Sequence, residues 1–206
     1  MAKYIDADCR LCRREGCKLF LKGDRCISPK CAIERRPVAP GQHGDAFKKQ
    51  SDYSLQLREK QKVKRAYGLQ EKQFKSYYDE AERSRGVTGD VMLQLLERRL
   101  DNVIYRMGIG DSRGESRQIV NHGHITVNGK TVNIPSYSVK VGDVIAIKPT
   151  KRNIEKFKQL KDIKISMPKW LEFDTSKLEG KINVLPQRDD IDLNIQEHLI
   201  IELYSR

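Results

Sequence analysis

Five cysteines fall between Cys9 and Cys31 of a 206-residue chain, and their spacing suits one chemistry above others, the holding of a metal ion. Cys9-x-x-Cys12 is a knuckle that can present two thiolates to one ion from a tight turn. Cys26 and Cys31 form a second, looser pair. Cys12 and Cys17 have the same separation as Cys26 and Cys31, so spacing alone leaves open which thiols make up the set. Four sulfurs in a tetrahedron suit a closed, structural Zn²⁺ site. A four-iron cluster can use four thiolates as well. Disulfides fit poorly with an odd count and the reducing compartment expected below. The segment has little apolar material, so a metal would supply its folding free energy.

Basic residues are interleaved with these thiols: Arg10, Arg13, Arg14, Lys18, Lys22, Arg25, Lys30, Arg35 and Arg36. A metal staple would hold them at fixed angles and so lower the ordering cost of gripping phosphates. Of the net +12, residues 1–65 carry +9, with 17 Lys and Arg against 8 Asp and Glu. A basic block of this kind usually meets a polyanion. Pro37 and the run Pro40-Gly-Gln-His-Gly44 read as extended chain and turn lying on that partner. His43 there is read as a polar contact rather than a metal ligand. The prolines also argue against a DNA-recognition helix following the thiols.

A second constellation runs from Ser112 to Ile147. Ser112 is a good N-cap, and Arg113, Arg117 and Asn121 recur at i, i+4, i+8 on one helical face, with Ile119 and Val120 turned to a core. Gly123 sits where a helix C′ glycine belongs. His122 and His124 follow, then Ile125 and Val127 alternate into a strand. Asn128-Gly129 predicts a type I′ hairpin, Val132 and Ile134 alternate out again, and Val144 to Ile147 makes a further strand. Guanidinium groups take phosphate oxygens bidentately, while Asn and His, with Lys130 beside the turn, can read groove edges or a 2′-hydroxyl.

Helices must position these groups. Ser51 or Asp52 caps one that ends before Gly68 and places Arg58, Lys62 and Arg65 on one face. A second runs from about Gln70 to Arg85, with Phe74, Tyr77, Tyr78 and Ala81 as its apolar side. A third, capped by Thr88, keeps helical spacing from Val91 to Met107. Later, Asn153 caps a helix carrying Ile154, Phe157, Leu160 and Ile163, and Trp170 packs into a core. Lys181 to Leu185 alternates like a strand, and Leu199 to Tyr204 is an apolar segment open to either helix or strand.

The residues also carry a resemblance. Arg99-Leu-Asp-Asn-Val103, Ser112-Arg113, Arg117-Gln118, His122-Gly-His-Ile125, Val127-Asn-Gly-Lys130 and Ile134-Pro-Ser-Tyr137 resemble the RNA-binding module of the small-subunit ribosomal protein S-four family. That module is similar to parts of some pseudouridine synthases and of tyrosyl-tRNA synthetase. Cys9-Arg-Leu-Cys12-Arg-Arg-Glu-Gly16, Gly23-Asp-Arg-Cys26-Ile-Ser-Pro-Lys-Cys31 and Glu34-Arg-Arg-Pro37 extend the resemblance to zinc-carrying members of the family. So do Ser51-Asp-Tyr53 and the ending Ile201-Glu-Leu-Tyr-Ser-Arg206. The resemblance implies Cys9, Cys12, Cys26 and Cys31 as ligands of one Zn²⁺. The family usually has an apolar residue at the position of Cys17, which is read here as a small hydrophobe. Members of the family often carry a basic residue or an alanine near Gly114 and Ser116; Gly114 costs helix stability and Glu115 repels phosphate, so Arg113 and Arg117 are expected to carry more of the RNA contact.

The fold class expected is α+β. A zinc-stapled arm (1–45) precedes a helical domain (46–96, completed by 189–206) and an RNA-binding module of helices with a small antiparallel sheet (97–188). No nucleophile elbow, Gly-rich phosphate loop or HExxH is present, which argues against an enzyme. No apolar run reaches the ~20 residues of a membrane span, and the polar N-terminus does not read as a signal peptide, so a cytosolic setting is expected. The resemblance implies a structural component of the small ribosomal subunit that binds its RNA and helps nucleate assembly. Its neighbours would be ribosomal protein S-five and the messenger RNA passing into the subunit. The alternative is a stand-alone or RNA-modifying protein carrying the same module.

Overall fold

The computed structural model describes residues 4–46, 49–160 and 167–205; Ile163 and Arg206 lie outside them. The chain divides into two units, residues 1–92 with 193–206, and residues 93–192.

The first unit opens with α1 (Cys9–Glu15), closed by Gly16 at a left-handed φ of 69°, the conformation a helix C-cap favours. A 3₁₀ turn (Gly23–Cys26) and α2 (Ala32–Arg35) complete the thiol segment. Next come α3 (Asp52–Ala66) and α4 (Glu71–Arg83), and the Ser51 hydroxyl accepts from the Ser54 N–H at 3.3 Å, as its N-cap position predicts. The C-terminal apolar segment is a helix, α9 (Glu197–Tyr204), packed on α3. Gln56 Nε2 donates to Glu202 Oε2 at 2.9 Å, and the Tyr204 ring lies 4.6 Å from Tyr78 and 6.3 Å from Phe74. A Cβ on Gly89 would meet the Glu197 Cβ at 2.7 Å, so this glycine permits the close approach of α9.

The helix expected from Thr88 to Met107 is broken. α5 (Thr88–Glu97) begins in the first unit, and α6 (Leu100–Arg106) lies in the second. Between them Arg99 is extended and bridges to Ser138. The N–H groups freed at the break find carbonyls: Leu100 donates to Tyr137 at 2.9 Å and Asp101 to Pro135 at 3.1 Å. The apolar spacing runs through both helices, which is why it does not reveal the break.

α7 (Arg113–Asn121) follows, with the Ser112 hydroxyl accepting from the Glu115 N–H at 3.3 Å. The sheet comprises β1 (Ile125–Val127), β2 (Lys130–Thr131), β3 (Val144–Ile147), β4 (Leu171–Asp174) and β5 (Glu179–Ile182), all antiparallel in the order β2-β1-β3-β5-β4. Asn128 (φ 50°) and Gly129 (φ 79°) make the predicted hairpin turn. β2 ends at Thr131, so the expected outward strand at Val132 and Ile134 does not form. The strand expected from Lys181 to Leu185 is shifted to β5, whose partner β4 the alternation did not disclose. A short α8 (Glu155–Gln159) is capped by Ile154 rather than Asn153. Helices α6 and α7 cover the sheet over a core that includes Ile104, Val120, Ile125, Ile145 and the fully buried Trp170. Among the described residues no helix is long and apolar enough to cross a membrane.

Candidate nucleic-acid interface and thiol cluster

Cys9, Cys12, Cys26 and Cys31 all line one small cavity closed by Asp8, Leu21, Lys22, Arg25, Ala32 and Ile33. The knuckle on α1 supplies the first two, the 3₁₀ turn the third and the residue before α2 the fourth. Cys17 does not line it. The Lys22 N–H donates to Cys26 Sγ at 3.3 Å, a contact that favours a thiolate there. Burial pushes the Cys12 thiol up to about 11, against a backbone hydrogen bond at Leu19 and with the neighbouring sulfurs adding to the rise. Burial raises Cys26 as well. Both shifts favour the protonated form of these two thiols. Among the described residues no three His, Cys, Asp or Glu side chains are gathered tightly enough to hold an ion as they stand. The donor types and their common cavity fit a soft, thiolate-preferring cation that would displace the protons.

On the same arm Arg10, Arg14, Lys22, Arg25, Lys30, Arg35 and Arg36 are exposed, as is His43. Arg13 is half-buried, its Nε donating to the Val38 carbonyl at 2.8 Å. Arg13, Arg25, Lys30, Arg35 and Arg36 converge on an open cleft of about 260 Å³ with Ala32. Five cations around one cleft create a strongly positive local field suited to an anion. Lys22 is countered by Asp8 at 2.9 Å, a partly exposed pair that a phosphate can replace at modest cost.

The face of α3 read as basic is engaged within the protein. Glu15 on α1, its side chain 1% exposed, accepts from Arg58 Nη1 at 3.1 Å and also from Arg65. Burial pushes the Glu15 carboxyl up from its ordinary value, against the pull of both guanidinium groups. Lys62 pairs with Glu59 one turn earlier at 2.9 Å. Glu15, Arg58 and Arg65 fasten the thiol arm to α3.

In the second unit the face shared by Arg113, Arg117 and Asn121 turns inward at its first two members. Arg113 is 8% exposed and Arg117 7%. Arg113 Nε donates to Asn102 Oδ1 at 2.8 Å, and its guanidinium lies 4.5 Å over the Tyr105 ring. Arg117 lies 3.9 Å from Asp101, whose carboxylate Arg99 grips through Nε at 3.0 Å and Nη2 at 2.7 Å. Asn102 in turn donates to Glu97 Oε2 at 2.7 Å, and Arg106 reaches the same carboxylate at 3.0 Å. Sequence reasoning missed Glu97, Asp101, Asn102 and Tyr105 as partners. The crowding of Arg, Asp and Asn at 99, 101 and 102, three types seldom buried unless paired, was the available signal.

Asn121 and His122 at the end of α7, with Asn128 and Lys130 at the hairpin, are exposed. Asn128 Oδ1 accepts from the Val144 N–H at 2.9 Å, while its Nδ2 donates to Asp143 at 2.9 Å, so this side chain holds its own turn. The His122 and His124 rings are 5.8 Å apart, and His124 lies edge-on to Phe157 at 5.9 Å. Burial, then the charges of Lys151 and His122, push His124 below its ordinary value, so it is neutral at pH 7.

A helix-and-hairpin module with a polar helix end is thus preceded by a basic arm with clustered thiols. The model of the Ribosomal protein S4/S9 N-terminal domain matches residues 3–97, and that of the S4 domain matches residues 98–145. The chain is 61% identical to small ribosomal subunit protein uS4 of Ruminiclostridium cellulolyticum, 59% to that of Caldicellulosiruptor bescii and 58% to that of Clostridium tetani. Each alignment covers all of both chains. The chain belongs to the ribosomal protein uS4 family.

Proposed function

We propose that the chain is a structural component of the small ribosomal subunit, working in the cytoplasm as part of the ribosome and binding small-subunit ribosomal RNA directly. Full-length identity to relatives bearing that name is the observation that carries the reading. The cleft of Arg13, Arg25, Lys30, Arg35 and Arg36 supplies phosphate-gripping charge on the arm. Asn121, His122 and Lys130 supply exposed polar groups on the module. Arg113 and Arg117 contribute by holding the module's shape, since their guanidinium groups are engaged inside it.

In this reading the protein fixes RNA helices relative to one another and helps nucleate subunit assembly. It lies beside protein S-five, where messenger RNA passes into the subunit. The arm is stapled by one Zn²⁺ on Cys9, Cys12, Cys26 and Cys31. The support is their common cavity, the N–H contact to Cys26 and the chemistry of four thiols. When bound, the ion supplies a structural cross-link; Lys22 and Arg25 at the cavity rim offset part of the charge of four thiolates.

Filter binding of the full chain to transcribed small-subunit ribosomal RNA, against an unrelated RNA of equal length, tests the reading. Tighter binding to the ribosomal RNA, with log K falling linearly in log salt at a slope of about −0.9 per phosphate contact, is expected. Equal affinity for the two RNAs would refute it.

A further inference from the structure

Three non-glycine residues among those described hold a left-handed backbone, Phe20, Asn128 and Leu178. Two have evident reasons. Asn128 occupies a type I′ turn position, and its side chain is bonded to Val144 and Asp143. Leu178 is 1% exposed, packs in the core of the second unit and accepts from the Ile147 N–H at 3.1 Å. Phe20 (φ 51°) has neither. It is a bulky aromatic in a strained conformation, yet the residue is 41% exposed. Its neighbour Leu19 is completely buried. The local backbone thus anchors Leu19 inside and turns Phe20 outward.

Strain of this kind persists where surrounding structure imposes it and gathers at sites of function. Here two lysines lie close by in the chain. Lys18 and Lys22 flank Phe20 two residues to either side in sequence, each paired with a carboxylate, Glu34 and Asp8. A part-exposed aromatic with cations close to it in the chain can stack an unpaired base while the cations take the flanking phosphates.

We propose that Phe20 is a stacking platform for one unpaired base of the RNA that the arm binds. The inference rests on the ribosomal RNA reading above and adds to it a single-stranded nucleotide at a defined place. A surface leucine would bury similar area but has no π-face, so the platform requires an aromatic.

Glycine at this position separates a binding role from a structural one, because it removes the ring and accepts φ 51° without strain. The full-length chain, Phe20→Gly and Phe20→Tyr are compared in thermal melting and in binding to transcribed small-subunit ribosomal RNA across a salt series. Expected for Phe20→Gly is an unchanged or raised Tm with about tenfold weaker binding at every salt concentration and an unaltered log–log slope, since no phosphate contact is lost. Phe20→Tyr should bind like the parent. Parent-like binding by Phe20→Gly overturns the platform while leaving the ribosomal RNA reading intact. A lowered Tm for Phe20→Gly overturns it too, by showing that the ring packs for stability. Failure of the parent itself to prefer the ribosomal RNA overturns both.

Discussion

Arg113 Nε donates to Asn102 Oδ1 at 2.8 Å inside the second unit, joining the first turn of α7 to α6. The residue whose type most invites a phosphate contact is instead part of a buried network with Glu97, Arg106 and Tyr105.

Arg113→Ala should therefore destabilise the fold before it affects RNA. It leaves a buried Asn102 acceptor unsatisfied and strips a cation from Tyr105, a loss of about 2–3 kcal/mol. A Tm lowered by several degrees, with RNA affinity restored once binding is measured well below that Tm, is the expected result. Unchanged melting with weakened binding would return Arg113 to the RNA face.

Glu15→Ala removes the carboxylate that Arg58 and Arg65 share and leaves two partly buried guanidinium groups without it. Breaking a buried pair at one partner costs about 3 kcal/mol or more. Hydrogen exchange should show faster opening at the N–H groups of α1 and at the turn around Gly16, with the hairpin of the second unit unaffected.

The acid limb of stability should depend on Glu71. Burial by itself would raise this carboxyl, but hydrogen bonds from Lys60, Lys64 and Tyr204 outweigh it and hold it at about 2, below the ordinary 4.5. The folded state thus binds this proton more weakly than the unfolded chain. Its contribution is present above pH ~4.5 and is lost as pH falls through about 2. Urea midpoints measured from pH 5 to pH 2 should fall less steeply for Glu71→Gln than for the parent.

Metal content gives a direct reading of the thiol cluster. Serine at Cys9, Cys12, Cys26 or Cys31 should abolish stoichiometric zinc, measured by atomic absorption, whereas Cys17→Ser should retain it, because Cys17 stands outside the shared cavity. Equal zinc in all five variants would reject the assignment.

Charge removal in the arm's cleft should be visible in salt dependence. Arg35→Gln and Arg36→Gln should each weaken ribosomal RNA binding and reduce the magnitude of the log–log slope by about 1. An unaltered slope in both would place the cleft off the RNA.

Local signals written in a few adjacent residues were legible directly. Ser51 and Ser112 cap helices because a hydroxyl one residue before the first turn reaches its orphan N–H groups. Asn128-Gly129 turns because both positions accept positive φ. Trp170 is buried, as a single large apolar ring usually is. The thiol spacing alone left the set of four open; the four that the resemblance implied line one cavity.

What depends on residues far apart in the chain was not legible. The break at Arg99 is made by carbonyls of Pro135 and Tyr137, more than thirty positions away. Strand β4 has an ordinary composition and becomes a strand by pairing with β5. Helical spacing placed Arg113 and Arg117 correctly on one face but could not say whether that face looks to solvent or to Asn102 and Asp101. The sequence by itself determined periodicity, caps, turns and net charge, because each arises from neighbours within a turn or two. Which arginines remain at the surface and which are buried was decided only by the tertiary structure, since a guanidinium's partner is whatever carboxylate, amide or ring the fold brings within about 3–5 Å of it.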